Sequence, residues 1–238
     1  MSDLAFKYSG SELEIFSEAI HWKSYWGSQV RPYLGQRVLE VGAGIGGTTR
    51  NLCKKTHDFW LALEPDQAMA SDLSRQAAMG YLPEFCQIQC GTIDRLEPDQ
   101  PFNTILYIDV LEHIEDDLNE VERAKTLLAP GGYLVVLAPA HQWLYTAFDQ
   151  AIGHYRRYNR ESLLQLTPSG LNCISTRYLD SVGLLASLGN RLLLRSAQPT
   201  RQQIRLWDRY MVRLSTFIDP VVFHSVGKSI LVVWQRQD

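Results

Sequence analysis

The sequence predicts an α/β protein organised around a doubly wound parallel sheet, and three observations support that prediction. From residue 37 onward, short apolar runs alternate with amphipathic runs, which is the order of repeated strand–helix units. A glycine-rich turn follows the first apolar run. A second turn, Ala129-Pro130-Gly131-Gly132, closes the last helix of the series before a further strand. In such sheets ligands bind at the carboxyl ends of the strands.

The predicted strands of this core are 37–41, 60–63, 85–89, 104–108 and 133–137, and the helices between them are 47–55, 67–79 and 115–128. Ahead of the core, residues 11–34 are predicted to be helical, with Ser11 as N-cap and Glu14 three residues later. After the core we predict a helix at 162–166, a strand at 172–179, basic amphipathic helices at 183–196 and 201–217, and a closing strand at 229–235.

The composition is that of a folded protein, with 45% hydrophobic and 21% charged residues among 238. No uninterrupted apolar run approaches the ~18 residues of a membrane span. Residues 1–10 lack the basic and apolar regions of a secretory signal, so we expect a cytoplasmic protein. The four cysteines are scattered without zinc-finger spacing, so we expect ordinary reduced thiols.

Charge is unevenly distributed along the chain. Residues 1–150 hold 11 Lys/Arg and 21 Asp/Glu, whereas residues 151–238 hold 12 and 5, and 11 of those 12 cations are arginines. The basic helices could therefore pack over the ligand cleft, or contact a membrane or a lipid-linked substrate. We expect no nucleic-acid binding, because the overall charge is acidic and the cations match no recognised motif.

The glycine-rich turn, Glu40-Val41-Gly42-Ala43-Gly44-Ile45-Gly46-Gly47, is the most informative segment of the chain. Glycines there let a ligand approach bare backbone. The dinucleotide fingerprint is met by Gly42, Gly44 and Gly47, and the looser spacing of S-adenosylmethionine loops by Gly42, Gly44 and Gly46. Glu40 favours the S-adenosylmethionine spacing, because a carboxylate attracts a cationic amino group and repels a pyrophosphate.

Two further strand ends offer contacts for a nucleoside. Glu64 ends the second strand, 22 residues after Gly42, where a carboxylate can accept both hydroxyls of a ribose. Pro65 stiffens the turn that follows. The segment Gly91-Thr92-Ile93-Asp94 follows the third strand and could border an adenine ring.

These residues resemble those of the class I S-adenosylmethionine-dependent methyltransferases. The matching stretches lie within about residues 36–138, in the right order and spacing: 38–46, 63–66, 91–93, 102–114 and 128–132. The resemblance implies a Rossmann-like methyltransferase fold, with a mostly parallel seven-stranded sheet whose last strand runs antiparallel. It implies S-adenosyl-L-methionine as cofactor, with Glu40 and the glycines at its methionine end, Glu64 at the ribose, and Thr92 and Ile93 at the adenine. Thr92 stands where the family often has Asp, and Asn103 replaces another common Asp.

We accordingly expect a single domain over residues 1–238. It comprises an N-terminal helical cap at 1–35, a cofactor-binding core at 36–138, and an acceptor-side region at 139–238 with a C-terminal helical insertion before the last strand. The predicted cofactor-binding residues are Glu40, Gly42, Ala43, Gly44, Gly46, Glu64, Pro65, Thr92, Ile93, Asp109 and Val110.

A second cluster follows the fifth strand and should overhang the acceptor side of the cleft. His141 and His154 are candidate general bases, and Asp149 could orient one of them. The candidate acceptor-binding residues are Trp143, Tyr145, Tyr155 and Arg156, and Arg156 could instead tie down the loop through carboxylates. The segment Gly153–Tyr158 resembles a bacterial methyltransferase subgroup with a Gly-His-Tyr-Arg-Arg-Tyr sequence.

Asp109, Glu112 and His113 offer three metal-ligand atoms within five residues, and this stretch resembles metal-assisted O-methyltransferases of the ubiquinone pathway. Many metal-free relatives carry the same Leu-Glu-His, so we predict no metal. The predicted function is methyl transfer to an O or N atom of a small or medium-sized acceptor, such as a natural product, a sugar or a lipid-linked intermediate. An NAD(P)-dependent oxidoreductase and a non-catalytic S-adenosylmethionine-binding protein remain as alternatives, and the sequence does not indicate an oligomeric state.

Overall fold

The computed structural model describes residues 12–97, 99–189 and 200–237. Its centre is a seven-stranded sheet of order β3-β2-β1-β4-β5-β7-β6. The first five strands pair in parallel, and β7 runs antiparallel to both of its neighbours. The predicted fold class is confirmed. The strands are β1 (Arg37–Val41), β2 (Phe59–Glu64), β3 (Cys86–Cys90), β4 (Phe102–Ile108), β5 (Leu128–Pro139), β6 (Leu171–Leu179) and β7 (Ser229–Arg236).

Alternation along the strands separates two hydrophobic cores, one on each face of the sheet. In β1, Leu39 and Val41 face the core that contains Phe102. Val38 faces the other core, which contains Trp60. Because successive side chains of a strand point to opposite faces, Glu40 shares the face of Val38 and Trp60. Helices cover both faces, as a parallel sheet requires.

The helices of the first half are α1 (Glu12–Ser17), α2 (Ile20–Val30), α3 (Gly47–Leu52), α4 (Gln67–Ala78) and α5 (Asp117–Leu127). The predicted helical segment at 11–34 is helical over most of its described residues, but a break at Ala19 separates α1 from α2, and a 3₁₀ turn at Arg31–Tyr33 follows α2. The N-cap prediction for Ser11 lies outside the described residues. The predicted turn at 129–132 lies within β5 (Leu128–Pro139) as an irregular stretch. The register against β4 passes from Leu128 directly to Tyr133, and Gly131 has φ +70°.

The second half contains α6 (Ala147–Ala151), α7 (Arg160–Gln165), α8 (Ser181–Gly189), α9 (Arg201–Leu206) and α10 (Arg213–Val221). A π-helical segment, Trp207–Val212, joins α9 to α10. The predicted helix at 183–196 includes residues beyond the described part of α8, among them Arg191 and Arg195. Over the described ranges, every helix is too short or too polar to span a bilayer.

Two buried carboxylates join the C-terminal helices to the N-terminal segment. Asp208 accepts hydrogen bonds from the backbone N–H of His21 (3.1 Å) and Trp22 (2.8 Å), and so caps α2. Asp219 accepts from the hydroxyl of Tyr25 at 2.6 Å and from the backbone N–H of Asp180 at 2.7 Å. Helices distant in sequence therefore form one cap beside the sheet.

Candidate active site

The carboxyl ends of five parallel strands meet along one edge of the sheet and bring most of the predicted site residues to that edge. The glycine loop follows β1, Glu64 ends β2, and Gly91 follows β3. Asp109 follows β4, and His141 lies just beyond β5. Strand order rather than sequence distance makes these residues neighbours.

The glycine loop is held tightly against the neighbouring strands. The N–H groups of Gly42 and Ala43 both donate to the carbonyl oxygen of Leu63, at 2.8 and 3.0 Å. Gly42 has φ +70°, and a Cβ atom there would lie 2.6 Å from Cγ2 of Val110. Gly42 is therefore required by both its conformation and its packing.

Glu64 supports the loop directly, which the sequence did not predict. Its Oε2 accepts from the N–H of Gly44 at 2.7 Å, and its Oε1 accepts from the N–H of Asp66 at 2.9 Å. Burial raises the pKa of the Glu64 carboxyl. Each carboxylate oxygen has a second lone pair, so these bonds leave acceptor capacity for ribose hydroxyls.

Glu40 lies beneath the loop, at 1% exposure. Its Oε2 accepts from the Thr49 hydroxyl and from Nε1 of Trp60, each at 2.8 Å. Its Oε1 has no hydrogen-bond partner in the described part of the chain. Burial raises the pKa of Glu40 to about 7. A buried carboxylate oxygen without a partner is costly, and a cationic ligand group would relieve that cost.

The residues on the adenine side differ in what they can contact. Thr92 is exposed, whereas Ile93 is fully buried in the core, so the side chain of Ile93 is not available to a ligand. Pro65 and Val110 are half-buried, and Asp109 is exposed with φ +54°. Only the backbone of Ile93 could therefore make the predicted contact with the adenine.

On the acceptor side, Asp149 orients His154 rather than His141. Nδ1 of His154 lies 3.1 Å from Oδ1 of Asp149. Arg157 binds the same carboxylate through two nitrogens, at 2.7 and 3.0 Å. Burial alone would raise the pKa of Asp149, but hydrogen bonds from His154 and Arg157 hold it well below its usual range. Because the carboxylate only accepts, Nδ1 of His154 carries the proton and Nε2 can act as a base.

His141 is held by different partners. Its Nε2 lies 3.0 Å from the carbonyl oxygen of Gly227, and its ring stacks on Tyr178 at 5.1 Å with an interplanar angle of 3°. Burial lowers the pKa of His141. The ring also approaches Trp143, at 5.3 Å. His141 therefore lines the predicted acceptor side, and Nδ1 is the ring nitrogen that remains for a substrate.

The four predicted acceptor-binding residues separate into two groups. Trp143 and Tyr155 are 47% and 50% exposed and can contact a ligand. The Tyr145 hydroxyl donates to the carbonyl oxygen of His154 at 2.5 Å, and Arg156 pairs with Asp117 at 2.5 Å. Tyr145 and Arg156 therefore secure the loop, which for Arg156 is the second of the two predicted roles.

Glu112 is a buried carboxyl with no hydrogen-bond partner for either oxygen in the described residues. Burial and the nearby Asp109 raise its pKa well above its usual value. Donor atoms of Glu112, His113 and His154 lie within 4.8 Å of one another and could hold a divalent cation. The sequence suggested Asp109 as the third possible ligand beside Glu112 and His113. In the structure the third member of the group is His154.

Lys228 is a residue of this region that sequence reasoning missed. Its ammonium lies 4.0 Å from the centre of the Trp207 ring and interacts electrostatically with Asp180 and Asp109. Burial lowers the pKa of Lys228. The only signal in the sequence was its place just before the last strand, next to the strand ends.

This sheet order and these loops define a class I methyltransferase architecture. A family profile described as methyltransferase domain matches residues 19–176, and the chain belongs to that family. The resemblance inferred from the sequence is confirmed.

Three relatives illustrate the range of the similarity. The chain is 26% identical over 109 residues to a ubiquinone biosynthesis O-methyltransferase of Bradyrhizobium diazoefficiens, and the match covers 46% of this chain and 42% of that one. The N-methyltransferase NodS of Bradyrhizobium japonicum, solved with S-adenosyl-L-homocysteine, superposes with a TM-score of 0.61 at 12% identity, covering 97% of this chain and 94% of NodS. The [4+2]-cyclase SpnF superposes with a TM-score of 0.62 at 16% identity, covering 89% and 80%.

Proposed function

We propose that this chain transfers a methyl group from S-adenosyl-L-methionine to an O or N atom of a small or medium-sized acceptor. The observation that carries the proposal is the His154–Asp149–Arg157 arrangement. His154 interacts electrostatically with Asp109, which follows β4, and β4 pairs with the strand that leads into the glycine loop. Named relatives include both O- and N-methyltransferases, so they support either acceptor atom.

The residues present fit the cofactor. Glu40 would compensate the charge at its methionine end, since Oε1 is buried without a partner among the described residues. Glu64 would accept hydrogen bonds from the ribose, and Thr92 with the backbone of Ile93 would border the adenine. When bound, the cofactor supplies an activated methyl group on a sulfonium centre. The protein must then align the acceptor, exclude water and accept a proton from it.

His154 is the proposed proton acceptor. Asp149, itself bound by Arg157, holds the ring by Nδ1. Nε2, which lies 3.9 Å from Oε1 of Glu112, would take a proton from an O–H or N–H group of the acceptor. The resulting imidazolium would be stabilised by the Asp149 carboxylate. Trp143 and Tyr155 would contact the acceptor itself, because both are about half exposed.

The acceptor class is an inference from the surroundings. Aromatic rings with few free charges suit an aromatic natural product, a sugar or a lipid-linked intermediate. Neither a nucleic-acid partner nor a metal is part of the proposal, and we place the reaction in the cytoplasm.

Two measurements test the proposal. Isothermal titration calorimetry should show binding of S-adenosyl-L-homocysteine and no heat with NAD(H), and the reverse pattern would establish the oxidoreductase alternative. Mass spectrometry of candidate acceptors should show the gain of one methyl group. Cofactor binding without any methylated acceptor, in wild type and H154A alike, would support the non-catalytic alternative.

A further inference from the structure

The continuous helix formed by α9, the π-helical segment and α10 exposes an apolar stripe to solvent. The stripe runs along one side at spacings of three and four residues. Its members and exposures are Leu206 (49%), Tyr210 (60%), Leu214 (50%), Phe217 (75%) and Val221 (75%). Phe223, just after the helix, is 87% exposed. Large apolar side chains that recur in this way on one surface mark an interaction site.

A row of arginines lies beside the stripe. Arg201, Arg205, Arg209 and Arg213 recur every four residues, and all four are exposed. Arg201 and Arg205 pair with Glu18, and the guanidinium of Arg209 lies 5.6 Å from the centre of the Tyr210 ring. The outer face of the helix therefore combines cationic and apolar side chains.

The acidic residues of the helix itself are withdrawn from its outer face, and the acidic side chains beside the arginine row are Glu14 and Glu18, at the Arg201–Arg205 end. Between residues 200 and 237 the chain has two acidic residues, Asp208 and Asp219, which are 5% and 0% exposed. Both are used to join the cap, as the bonds to α2 and to the backbone of Asp180 show. Those bonds fix the inner face, so the helix cannot turn to bury the stripe without breaking them.

We propose that this outer face binds the surface of an anionic lipid bilayer. A basic amphipathic helix lying in the membrane interface places apolar side chains among the acyl chains and cations among the head groups. The arginine row suits anionic head groups, and the aromatic rings of Tyr210, Phe217 and Phe223 suit the interface. The helix needs no change of fold to bind, because both sets of side chains already face outward.

The same geometry disfavours two other occupants. A symmetric pairing of two copies through this face would set the arginine rows of both copies close together, where they repel. A nucleic acid would use the arginines but would leave the apolar stripe exposed to water. The proposal concerns the surface alone and does not depend on methyl transfer.

The test is co-sedimentation of the full chain with vesicles of phosphatidylglycerol and phosphatidylcholine, compared with vesicles of phosphatidylcholine alone. We expect at least tenfold tighter binding to the anionic vesicles, weakened by high salt. F217S/V221S should abolish the binding, since it removes the most exposed apolar pair of the helix. R209E/R213E should abolish the preference for anionic lipid. These side chains are exposed, so both variants should keep the wild-type melting temperature.

Matched controls lie elsewhere on the surface. M79S/Y81S removes side chains of similar exposure, 70% and 69%, and K54E/K55E reverses two exposed cations. Both variants should bind vesicles like wild type. Absence of binding to anionic vesicles, or binding that F217S/V221S leaves unchanged, would overturn the proposal. So would a dimer of the wild type that F217S/V221S converts to a monomer, because the face would then be an interface between copies.

Discussion

The carboxylate of Asp149 holds the imidazole of His154, with Oδ1 at 3.1 Å from Nδ1. Arg157 binds the same carboxylate and balances its charge. The two residues are five apart in sequence, and Asp149 sits in the first turn of α6, where it also accepts from the N–H of Thr146. The proposed base and the group that orients it are thus positioned by one short helix and the loop that follows it.

We expect H154A to lower kcat by about 10²–10⁴-fold, the usual contribution of a general base, with little change in S-adenosyl-L-homocysteine affinity. D149N should also lower kcat, because it disturbs the orientation of the ring, removes the charge that stabilises the imidazolium and weakens the pairing with Arg157. Single-turnover kinetics and calorimetry separate the two effects. H141A is the comparison variant, and if it lost more activity than H154A, His141 would be the base.

We expect the stability of the cofactor-free protein to fall as pH rises from about 4.5 to about 7, through Glu40. Its folded pKa is raised to about 7 from an ordinary value of 4.5, so the folded state keeps a proton that the unfolded state has lost. The difference amounts to roughly 3 kcal/mol at the upper end of that range. Denaturant unfolding of wild type and E40Q at several pH values should show a steeper loss in wild type, and the slope that remains in E40Q belongs to other buried carboxyls such as Glu64 and Glu112.

Cofactor affinity should change in the opposite direction. Ionised Glu40 attracts a cationic group, so binding of S-adenosyl-L-homocysteine, which retains the amino group, should strengthen as pH rises through 7. Calorimetry in buffers of different ionisation enthalpy should detect proton release on binding near pH 6. An E40Q variant that bound with the same pH dependence as wild type would contradict this role.

We expect G42A to abolish cofactor binding. Alanine at φ +70° is strained, and its Cβ would lie 2.6 Å from Val110, so the loop must shift. G80A is the control, since Gly80 has φ +80° and a Cβ added there would meet no atom within 4 Å. G80A should cost only about 1–2 kcal/mol of stability and leave binding intact. The double variant G42A/V110A should recover part of the affinity, because it removes the clash but not the strain.

We expect chelators to leave turnover unchanged. The donor atoms of Glu112, His113 and His154, up to 4.8 Å apart, would have to move closer to bind Zn²⁺, whose ligand bonds are about 2 Å long. Activity measured with and without EDTA, and after addition of Mn²⁺ or Zn²⁺, checks this. Loss of activity that an added ion restores would make Glu112, His113 and His154 a metal centre.

D208N should destabilise the protein by about 1–2 kcal/mol, because the carboxylate caps α2 from a distant helix. Thermal unfolding followed by circular dichroism gives the change. Asp72 is exposed on α4, and D72N should have a small effect. Equal losses from both variants would show that the cap contributes no specific stability.

Local patterns sufficed for the sheet core and the glycine loop. The spacing of apolar runs predicted the first five strands. The glycines after β1 predicted a turn whose backbone is open to a ligand. The helix break at Ala19 was missed because the apolar spacing continues across it. The turn predicted at 129–132 persists as an irregular stretch inside β5, because the register against β4 is interrupted between Leu128 and Tyr133.

The sequence by itself determined the architecture, the ligand edge and the class of cofactor, because strand periodicity and glycine-rich turns are local properties of the chain. Only the tertiary structure decided which side chains meet. It paired Asp149 with His154 rather than His141, buried Ile93, turned Glu64 onto the N–H of Gly44, and left the stripe from Leu206 to Val221 facing solvent. Contacts between distant segments depend on how helices and loops pack on the sheet, and that packing has no periodic signal in the sequence.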